Sequence, residues 1–485
     1  MEEINQTPQV ANLVHGLREI GYTIDTAIAD LVDNSITANS ENIDVVFLPE
    51  EKKPILAILD DGDGMAKSEL IEAMRPATKN PTEFRKPNDL GRYGLGLKTA
   101  SFSQSKKLTV LSKTKDNDVA IAEWDLDKLI ERNEWVLNLL SKEELDFDLP
   151  IVQKFYSNTS GTLVVWNGID KVENNEIAIH TPVITDHLSL VFNRFLSGYN
   201  GARKTNIRIN NVAVKALDPV DKKNQYTCAL ESSTFKVNNK KIFVQPYILP
   251  SGLKTDTDTF KKNATHLGYK DAQGFYLYRA NRLITWGTWW RLVKRHDNYN
   301  LTRIEVDIDN CQDSEWSVSV TKSGFSVKPP EGIRDDLRGI VRSSSKTGKG
   351  VIRGRGTVKP VNYVTYWNQT KNLDNGQIDF SINKEHPLYV ELTGYFDSNQ
   401  RKIFNLFIAD LAKYLPKQDI YRNVMDFPSS TPVSPKSEAN PEGEFTQDDI
   451  KTLIDKLREK GLKDEQIKKM FEAEGLSEYI GEYFE

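Results

Sequence analysis

The sequence has few of the residues that build disulfide frameworks and metal sites. Only two of its 485 residues are cysteines, Cys228 and Cys311, which is too few for a disulfide framework or a zinc site and fits a reducing cytoplasm. The six histidines are scattered without the spacing of metal ligands. His386 is the most suggestive of them, although a lone histidine is more often structural. These counts argue against disulfide-stapled and zinc-dependent classes of protein.

The sequence also lacks a long apolar run and a strong excess of charge. No stretch is long and apolar enough to span a membrane, and the N-terminus has no signal-peptide core, so we expect a cytoplasmic protein without a membrane partner. The formal net charge of -5 gives no overall attraction to nucleic acid, so any DNA-binding surface has to be a local patch. The length predicts roughly three domains.

One stretch, AIADLVDNSITANSENIDV (Ala27–Val45), places polar residues on an apolar helix that runs straight into a strand. The apolar residues recur at a helical period. Asp30 and Asn34 are four residues apart and therefore lie on one face of that helix, one turn above the other. They form either a solvated helix edge or part of a ligand site, and this stretch alone leaves both interpretations open.

Two glycine-containing segments follow. The apolar strand ILAILDDGDGMA ends in an acidic turn with Asp60, Gly62 and Gly64, where a backbone can approach a ligand closely while a carboxylate points at it. A plain acidic turn is the alternative, because a calcium loop would need further oxygen ligands. The segment DLGRYGLGLKTASFS places glycines and Lys98 before an apparent helix, which suits an anion. It is neither a Walker A motif nor a Rossmann turn.

In their order along the chain, these segments resemble the GHKL ATPases, and most closely the MORC and MutL branch. ADLVDNSITA is similar to the E-L-V-D-N-S-x-D-A motif of that branch, and GRYGLGLKTAS is similar to the MORC motif G-x-Y-G-x-G-x-K-S-G-S. MRPATK resembles a lid segment of MutL, and GTLVVWN resembles the MORC strand that carries a threonine on the adenine side. The resemblance implies an α+β fold, with a Bergerat-type α/β sandwich that binds ATP, an S5-like transducer domain, a mixed C-terminal region and a small helical tail.

The resemblance also assigns roles to individual residues. Asp60 would accept a hydrogen bond from the adenine amine, with Thr162 supporting it through water. Asn34 would hold Mg²⁺, and Asp30 would be the general base that polarises the attacking water. Lys322, on a transducer loop, would reach the γ-phosphate and act in catalysis. The full set implied to bind ATP is Asn34, Asp60, Gly62, Gly64, Met65, Thr78, Lys79, Gly91, Tyr93, Gly94, Leu95, Gly96, Lys98 and Thr162.

The chain departs from the family at the general base. The family has glutamate where this chain has Asp30, whose side chain is shorter by about 1.5 Å, one C–C bond. A misplacement on this scale can lower a rate by about 10²-fold. Asp61 and Thr37 also replace the usual asparagine and aspartate, and we expect both changes to be tolerated. Turnover is therefore in question, whereas nucleotide binding is not.

The resemblance and the composition together divide the chain into five segments. We expect a GHKL ATP-binding domain at 1–190, an S5-like transducer domain at 191–333, a basic tract and a mixed or helical region at 334–426, a disordered linker at 427–445 and a small helical tail at 446–485. The tail looks like a docking module for a partner. Within 334–426, NQRKIFNLFIADLAKYL predicts an amphipathic helix.

Two features point to nucleic acid. The tract 334–359 has eight Lys or Arg against two Asp, with Gly and Ser between them, and predicts either a flexible DNA-binding segment or a solvated linker. Its candidate contacts are Arg334, Arg338, Arg342, Lys346, Lys349, Arg353 and Arg355. Trp286, Trp289 and Trp290 either stack on bases or pack in a core or an interface.

The function implied by the resemblance is an ATP-dependent clamp that uses Mg²⁺, forms a homodimer when ATP binds, and acts on DNA. The segment Met1–Arg18 would mediate the exchange between two chains, with Leu13, Val14 and Leu17 as its apolar stripe. Similarity to prokaryotic MORC-like proteins implies a role in defence or DNA restriction and maintenance, with a nuclease or helicase partner docked by the C-terminal tail. The alternatives are a nucleotide-binding regulator with little turnover, which Asp30 favours, and a chaperone-like clamp on protein, which the modest net charge favours.

Overall fold

A computed structural model describes residues 9–19, 21–48, 53–76, 90, 96–250, 271–318, 327–353, 366–375 and 378–414, together with residues 451, 454, 455, 458, 464 and 467. The chain folds into two compact units. The first unit comprises residues 1–224 and 249–353, and the second comprises residues 225–248 and 354–485. The five-segment division expected from the sequence stays a prediction.

The first unit contains a sheet with the strand order β5-β4-β3-β6-β2-β1-β7-β8. All adjacent strands are antiparallel except β1 and β7, which are parallel. The strands are β1 (Asn42–Leu48), β2 (Ile55–Asp60), β3 (Ser105–Lys113), β4 (Ala120–Asp125), β5 (Asn138–Leu139), β6 (Gly161–Ile169), β7 (Asn206–Ile209) and β8 (Val212–Ala213). The helices around them are α1 (Val10–Arg18), α2 (Ile24–Thr37), α3 (Lys67–Met74), α4 (Gly96–Gln104), α5 (Leu126–Arg132), α6 (Pro150–Ser157), α7 (Ile177–Val191) and α8 (Asn193–Ser197).

Strand β2 shows why this sheet is covered on both faces. Its apolar residues alternate between two cores, as side chains of a strand must. Leu56 and Ile58 join the core that includes α2, α4 and α7, while Ala57 and Leu59 join a second core that includes Phe155 of α6. The acidic end of β2 is thereby held between two layers of helices.

Helix α2 begins and ends with local signals. At its start Thr23 and Thr26 form a capping box, in which the backbone N–H of Thr23 donates to the Thr26 hydroxyl over 3.1 Å. At its end Asn39 takes a left-handed conformation with φ of 63°. The sequence of helix α2 therefore sets where the helix begins and ends, and its buried apolar residues hold it against the sheet.

Helix α1 packs on its own chain. Val14 is fully buried in the core of the sheet, whereas Leu13 is 41% exposed. In the single chain the side chain of Val14 fills a site in its own core. The expected exchange of Leu13, Val14 and Leu17 with another chain stays a prediction.

Further strands of the first unit are β12 (Gly274–Arg279), β13 (Arg282–Thr288) and β14 (Thr302–Ile308). Strand β12 lies between the other two, antiparallel to β13 and parallel to β14. Tyr276, Tyr278 and Leu283 pack with Leu190 of α7. Strands β12 and β13 thus pack against the helical layer of the eight-stranded sheet.

The tryptophan cluster is part of this packing. Trp289 is 3% exposed, and its indole N–H donates to Gln273 Oε1 over 3.0 Å. The ring of Trp290 stacks on Phe275 with centroids 4.5 Å apart and stands edge-on to Trp316. The core-packing interpretation is confirmed for Trp289 and Trp290.

The tract expected to be flexible forms helix α9 (Arg334–Arg353). Leu337 and Val341 are fully buried and lie four residues apart, on one face. The expectation of a flexible segment is wrong for 334–353, since these apolar residues are enough to anchor the helix although serine and glycine weaken its intrinsic propensity.

The second unit contains β9 (Cys228–Ala229), β10 (Ser233–Val237), β11 (Lys240–Ile248), β15 (Trp367–Asn372) and β16 (Ile378–Ile382). The strand order is β11-β10-β15-β16, and β9 pairs with the end of β11. Two helices follow, α10 (Pro387–Gly394) and α11 (Ser398–Lys413). Helix α11 confirms the predicted amphipathic helix and packs against β16. The predicted linker lies outside the described residues.

No helix among the described residues is long and apolar enough to cross a membrane.

Candidate functional site

The carboxylate of Asp60 lies at the end of β2, buried and hydrogen-bonded at both oxygens. Its Oδ1 accepts the backbone N–H groups of Gly62 and Thr162, over 3.0 Å and 3.2 Å. Its Oδ2 accepts the Ser35 hydroxyl over 2.8 Å, so strand β2 is tied to helix α2. Burial raises the pKa of Asp60 to about 6, because a charged carboxylate loses hydration there. The structure places this acid next to Thr162, whose backbone contacts it. The contacts of both residues with adenine stay a prediction.

A pair of hydroxyl groups lies beside Asp60. Ser112 of β3 and Thr162 of β6 share a hydrogen bond of 2.8 Å between their hydroxyl oxygens. The Ser112 hydroxyl oxygen also accepts the backbone N–H of Met65 over 2.9 Å. This pair fixes the loop after Asp60 against the two central strands.

The glycines after Asp60 allow a close approach of backbones. Gly64 has φ of +70°, and a Cβ there would lie 1.8 Å from the carbonyl oxygen of Lys113. A Cβ at Gly62 would lie 2.6 Å from the carbonyl oxygen of Ala38. A larger residue at either position would push this loop away from β3 or α2.

Asp30 lies on α2, almost completely buried at 3% exposure. The Tyr22 hydroxyl donates to its Oδ2 over 2.8 Å, and the guanidinium Nη2 of Arg282 lies 3.8 Å from its Oδ1. A Cβ built on Gly96 would lie 3.9 Å from Oδ2, so the first residue of α4 approaches this carboxylate. The N-terminus of a helix favours anions, so a phosphate bound at the start of α4 would lie next to Asp30.

Asn34 is exposed, whereas its neighbours Asp33 and Ser35 are buried. An amide oxygen presented to solvent on an otherwise buried helix is a hard ligand that suits Mg²⁺. Magnesium in nucleotide sites is usually held by one or two protein oxygens together with phosphates and water. Asn34 is therefore accessible to a ligand. Its role as a magnesium ligand, which the resemblance implies, stays a prediction.

Other predicted residues are placed differently or lie outside the described residues. Lys98 is buried, and its ammonium donates to the carbonyl oxygen of Ala73 over 2.8 Å. The lid and catalytic-lysine predictions fall outside the described residues for Thr78, Lys79, Gly91, Tyr93, Gly94, Leu95 and Lys322. They stay predictions.

The two further departures from the family motif have structural roles here. Asp61 Oδ1 accepts the backbone N–H groups of Glu41 and Asn42 over 2.8 Å and 2.9 Å, at the start of β1. The Thr37 hydroxyl donates to the carbonyl oxygen of Asp33 over 2.8 Å. Both residues satisfy backbone groups or help to close the helix.

Four residues of the site were not expected from the sequence. Ser35 donates to Asp60, and Ser112 holds Met65 in the loop after Asp60. Tyr22 and Arg282 contact Asp30. Ser35 directly follows Asn34 in the helix motif, and this position could have indicated that Ser35 belongs to the site. Nothing local marks Arg282, because it lies 249 residues from its partner Asp33.

The basic tract is partly described. Along α9 the positions 334, 338, 342, 346, 349 and 353 are three or four residues apart and therefore follow one side of the helix. Arg338 pairs with Asp335, and Arg334 Nε donates to the carbonyl oxygen of Pro329 over 3.1 Å. The side chains of Lys346, Lys349 and Arg353 are not among the described ones, and Arg355 lies outside the described residues. The predicted DNA contacts stay predictions.

Comparison with known proteins agrees with this geometry. Residues 22–162 match the model of a family described as histidine kinase-, DNA gyrase B-, and HSP90-like ATPase. The chain is 33% identical over 88 residues to ATPase morc-1 of Caenorhabditis elegans, which is 18% of this chain and 10% of that protein. It is 27% identical over 184 residues to the DNA mismatch repair protein MutL of Dictyoglomus turgidum, 36% of this chain and 31% of that protein. It is 31% identical over 96 residues to the chaperone protein HtpG of Alkaliphilus oremlandii, 18% and 15% of the two chains. The chain spans less than a third of the length of each of these relatives.

Proposed function

We propose that the chain is a dimerising clamp that hydrolyses Mg·ATP and acts on DNA. Its nucleotide-binding part would be residues 22–162, which match the model of the histidine kinase-, DNA gyrase B-, and HSP90-like ATPases, the GHKL superfamily. One observation carries the nucleotide part of this proposal. A single helix, α2, presents Asp30 and Asn34 and is tied through Ser35 to the buried acid Asp60. In this proposal, helix α2 therefore lies next to both the adenine base and the phosphates of one bound nucleotide.

In the proposed reaction, Asp60 accepts a hydrogen bond from the exocyclic amine of adenine. A water molecule attacks the γ-phosphorus, its proton passes to Asp30, and the bond between that phosphorus and the bridging oxygen breaks to release ADP. Mg²⁺ bound with Asn34 would offset the phosphate charge. The helix N-terminus at Gly96 adds partial positive charge on the same side as Asp30.

The pH dependence of adenosine binding tests the assignment of Asp60. The amine of adenine is a donor and favours an ionised Asp60, so binding should weaken by up to about tenfold per pH unit below pH 6. Adenosine is the ligand of choice because it has no phosphate to titrate. Calorimetric titration between pH 5 and 8 should show this slope for the natural chain and none for Asp60→Asn. A flat profile for the natural chain would contradict the assignment.

The same carboxyl group has an opposite effect on folding. Its pKa is about 6 in the folded protein and 3.8 ordinarily, so the folded state holds this proton more tightly than the unfolded chain. This contribution to the free energy of unfolding is therefore fully present below pH 3.8 and is lost as the pH rises through 6. As the pH falls through 6, adenosine binding should therefore weaken while this contribution to the free energy of unfolding increases.

The proposed clamp rests on the relatives named ATPase morc-1 and MutL and on helix α9. Two chains that dimerise when ATP binds would bring two basic stripes onto one DNA, which raises the effective concentration without a new type of contact. Phosphate contacts of this kind would make binding strongly dependent on salt. The roles in defence or DNA restriction and maintenance, with a nuclease or helicase partner docked by the tail, are part of the same proposal.

A non-hydrolysable ATP analogue should convert the protein to a dimer in sedimentation and tighten its binding to duplex DNA. The variant Asn34→Ala should show neither effect, since it lacks the proposed magnesium ligand. Changing Arg353 and Arg355 to Ala should lower the slope of log affinity against log salt by about 1 for each lost phosphate contact. A matched control changes Lys106 and Lys128 to Ala, two half-exposed lysines that pair with Asp127 and Asp125 elsewhere on the first unit.

Two results would overturn the clamp. One is a monomer with the analogue bound, and the other is DNA affinity that ignores both the nucleotide and the two arginines. Retained dimerisation without any DNA binding would point to a clamp on protein instead.

A further inference from the structure

The turn between β12 and β13 has a defined geometry. Ala280 and Asn281 have φ of 47° and 69°, both in the left-handed region, and the flanking Arg279 and Arg282 are paired across the strands. Two consecutive residues of this kind form a tight two-residue hairpin turn that matches the twist of the strands. We call residues 279–282 the arginine turn. Both of its arginines are buried, Arg279 at 1% and Arg282 at 4% exposure.

Arg282 contacts two carboxylates of α2 at once. Its Nε lies 2.8 Å from Oδ1 and 2.7 Å from Oδ2 of Asp33, and its Nη2 lies 3.8 Å from Oδ1 of Asp30. Its Nη1 donates to the carbonyl oxygen of Leu283, which holds the guanidinium against its own strand. The planar, rigid guanidinium can bridge both acids, and a lysine ammonium could not do so with the same geometry.

Tyr22 completes the surroundings of Asp30 from the other side. Its hydroxyl donates to Oδ2 of Asp30 over 2.8 Å. Burial, together with the charge of Asp30, raises the pKa of Tyr22, so the hydroxyl keeps its proton and remains a donor. The carboxylate is therefore oriented by a donor at one oxygen and a cation near the other.

The same turn also contacts Leu90, the residue before the glycine-rich segment. Arg279 Nη1 donates to the carbonyl oxygen of Leu90 over 3.0 Å, while its Nε and Nη2 bind Asp313 over 2.6 Å and 2.8 Å. Leu90 directly precedes Gly91 in the sequence. One turn of the β12–β13 hairpin thus contacts the helix that carries Asp30 and the residue before the glycine-rich segment.

We propose that Arg282 is a positioning residue for Asp30, and that through it the arginine turn makes ATP hydrolysis depend on the position of the β12–β13 hairpin. This inference rests on the proposed ATPase function and adds a residue that the nucleotide-binding motifs do not contain. A shorter acid than glutamate needs its carboxylate held in one orientation, because a shift of about 1 Å can cost about 10²-fold in rate. The contact at 3.8 Å with Arg282 and the hydrogen bond from Tyr22 supply that restraint.

The test has to separate positioning from the structural value of the buried Arg282–Asp33 ion pair. Arg282→Gln alone would leave the charge of Asp33 buried without this partner, so a lower rate would not distinguish lost positioning from lost folding. The paired variant Arg282→Gln/Asp33→Asn removes both charges of that ion pair, and the two amides can bond to each other. We expect it to melt near the natural protein and to bind Mg·ATP with unchanged Kd, while kcat falls by about 10²-fold.

A matched control makes the same pair of exchanges elsewhere in the first unit. Arg194, whose side chain is 1% exposed, donates from Nη2 to Oδ2 of Asp307 over 3.1 Å, and the Asp307 side chain is 23% exposed. Arg194 also pairs with the buried Glu305, which keeps a second partner in Lys222, and both acids belong to β14. Arg194→Gln/Asp307→Asn should keep the natural kcat if it folds. The variant Arg282→Lys should pair with Asp33 and still lose most of the turnover, because it cannot orient Asp30 as well.

Natural kcat in the folded Arg282→Gln/Asp33→Asn variant would overturn the positioning role. If the natural protein binds ATP without any turnover, the proposed hydrolysis fails, and crystal structures of the natural and paired-variant proteins then decide the positioning separately. A displaced Asp30 carboxylate supports it, and an unmoved carboxylate refutes it.

Discussion

Replacing Asp30 with asparagine is expected to lower the rate of ATP hydrolysis by about 10²- to 10⁴-fold, the range typical of a general base. Asparagine has nearly the same shape, and its amide oxygen can still accept the hydrogen bond that Tyr22 donates over 2.8 Å. It cannot take a proton from the attacking water. Steady-state phosphate release, with a parallel titration of Mg·ATP, should therefore show lost turnover and retained binding. Asp30→Ala should give the same loss, with dimerisation retained.

Two variants serve as controls for this experiment. Asp30→Glu should remain active, because it restores the longer carboxylate that the resemblance leads one to expect. Asp127→Asn changes an exposed acid that pairs with Lys106, and it should leave turnover unchanged. Turnover of Asp30→Asn at the natural rate would assign water activation to another group. A natural protein that binds ATP and shows at most a burst of phosphate release would instead be a nucleotide-binding regulator.

Replacing Asp60 with asparagine should abolish the recognition of adenine. In the natural protein both carboxylate oxygens accept hydrogen bonds, from Gly62, Thr162 and Ser35. The introduced amide would set a donor against the donor amine of adenine and leave a buried group unpaired, which costs about 1–3 kcal/mol or more. That is a loss of roughly 10- to 100-fold or more in affinity. Calorimetric titration with ATP measures it.

A change of ligand sharpens this second experiment. Inosine triphosphate has a carbonyl oxygen in place of the adenine amine, so it offers an acceptor to the introduced amide. Asp60→Asn should therefore lose ATP affinity and shift its preference toward inosine triphosphate, while the natural protein prefers ATP. Unchanged ATP affinity in Asp60→Asn would refute the assignment of Asp60 to the adenine end. Weakened binding of both nucleotides to the same extent would indicate a damaged fold instead.

Much of the proposed nucleotide site could be predicted from local patterns. A strand that ends in acid and glycine and a helix with acid and amide one turn apart are short-range features. Their order along the chain was enough to suggest which family they resemble. The structure then places Asp60 beside Thr162, Asp30 beside the start of α4, and Asn34 at the surface.

The helix at 334–353 shows where composition misleads. Serine, glycine and scattered basic residues suggested a flexible tract, because those residues contribute little to helix propensity. The outcome depended instead on Leu337 and Val341, which are fully buried against the rest of the first unit. Burial of an apolar face contributes more to a helix in a protein than intrinsic propensity does.

The sequence by itself therefore determined the acids, the amide and the glycines of the proposed nucleotide site, since each is recognised from neighbours within a few residues. Only the tertiary structure decided what surrounds them. Arg282 meets Asp33 across 249 residues of chain, and Ser112 meets Thr162 across 50, so no local pattern could pair them. Such contacts form because the sheet and the β12–β13 hairpin bury their apolar faces against the same helices, and that packing fixes which distant side chains meet.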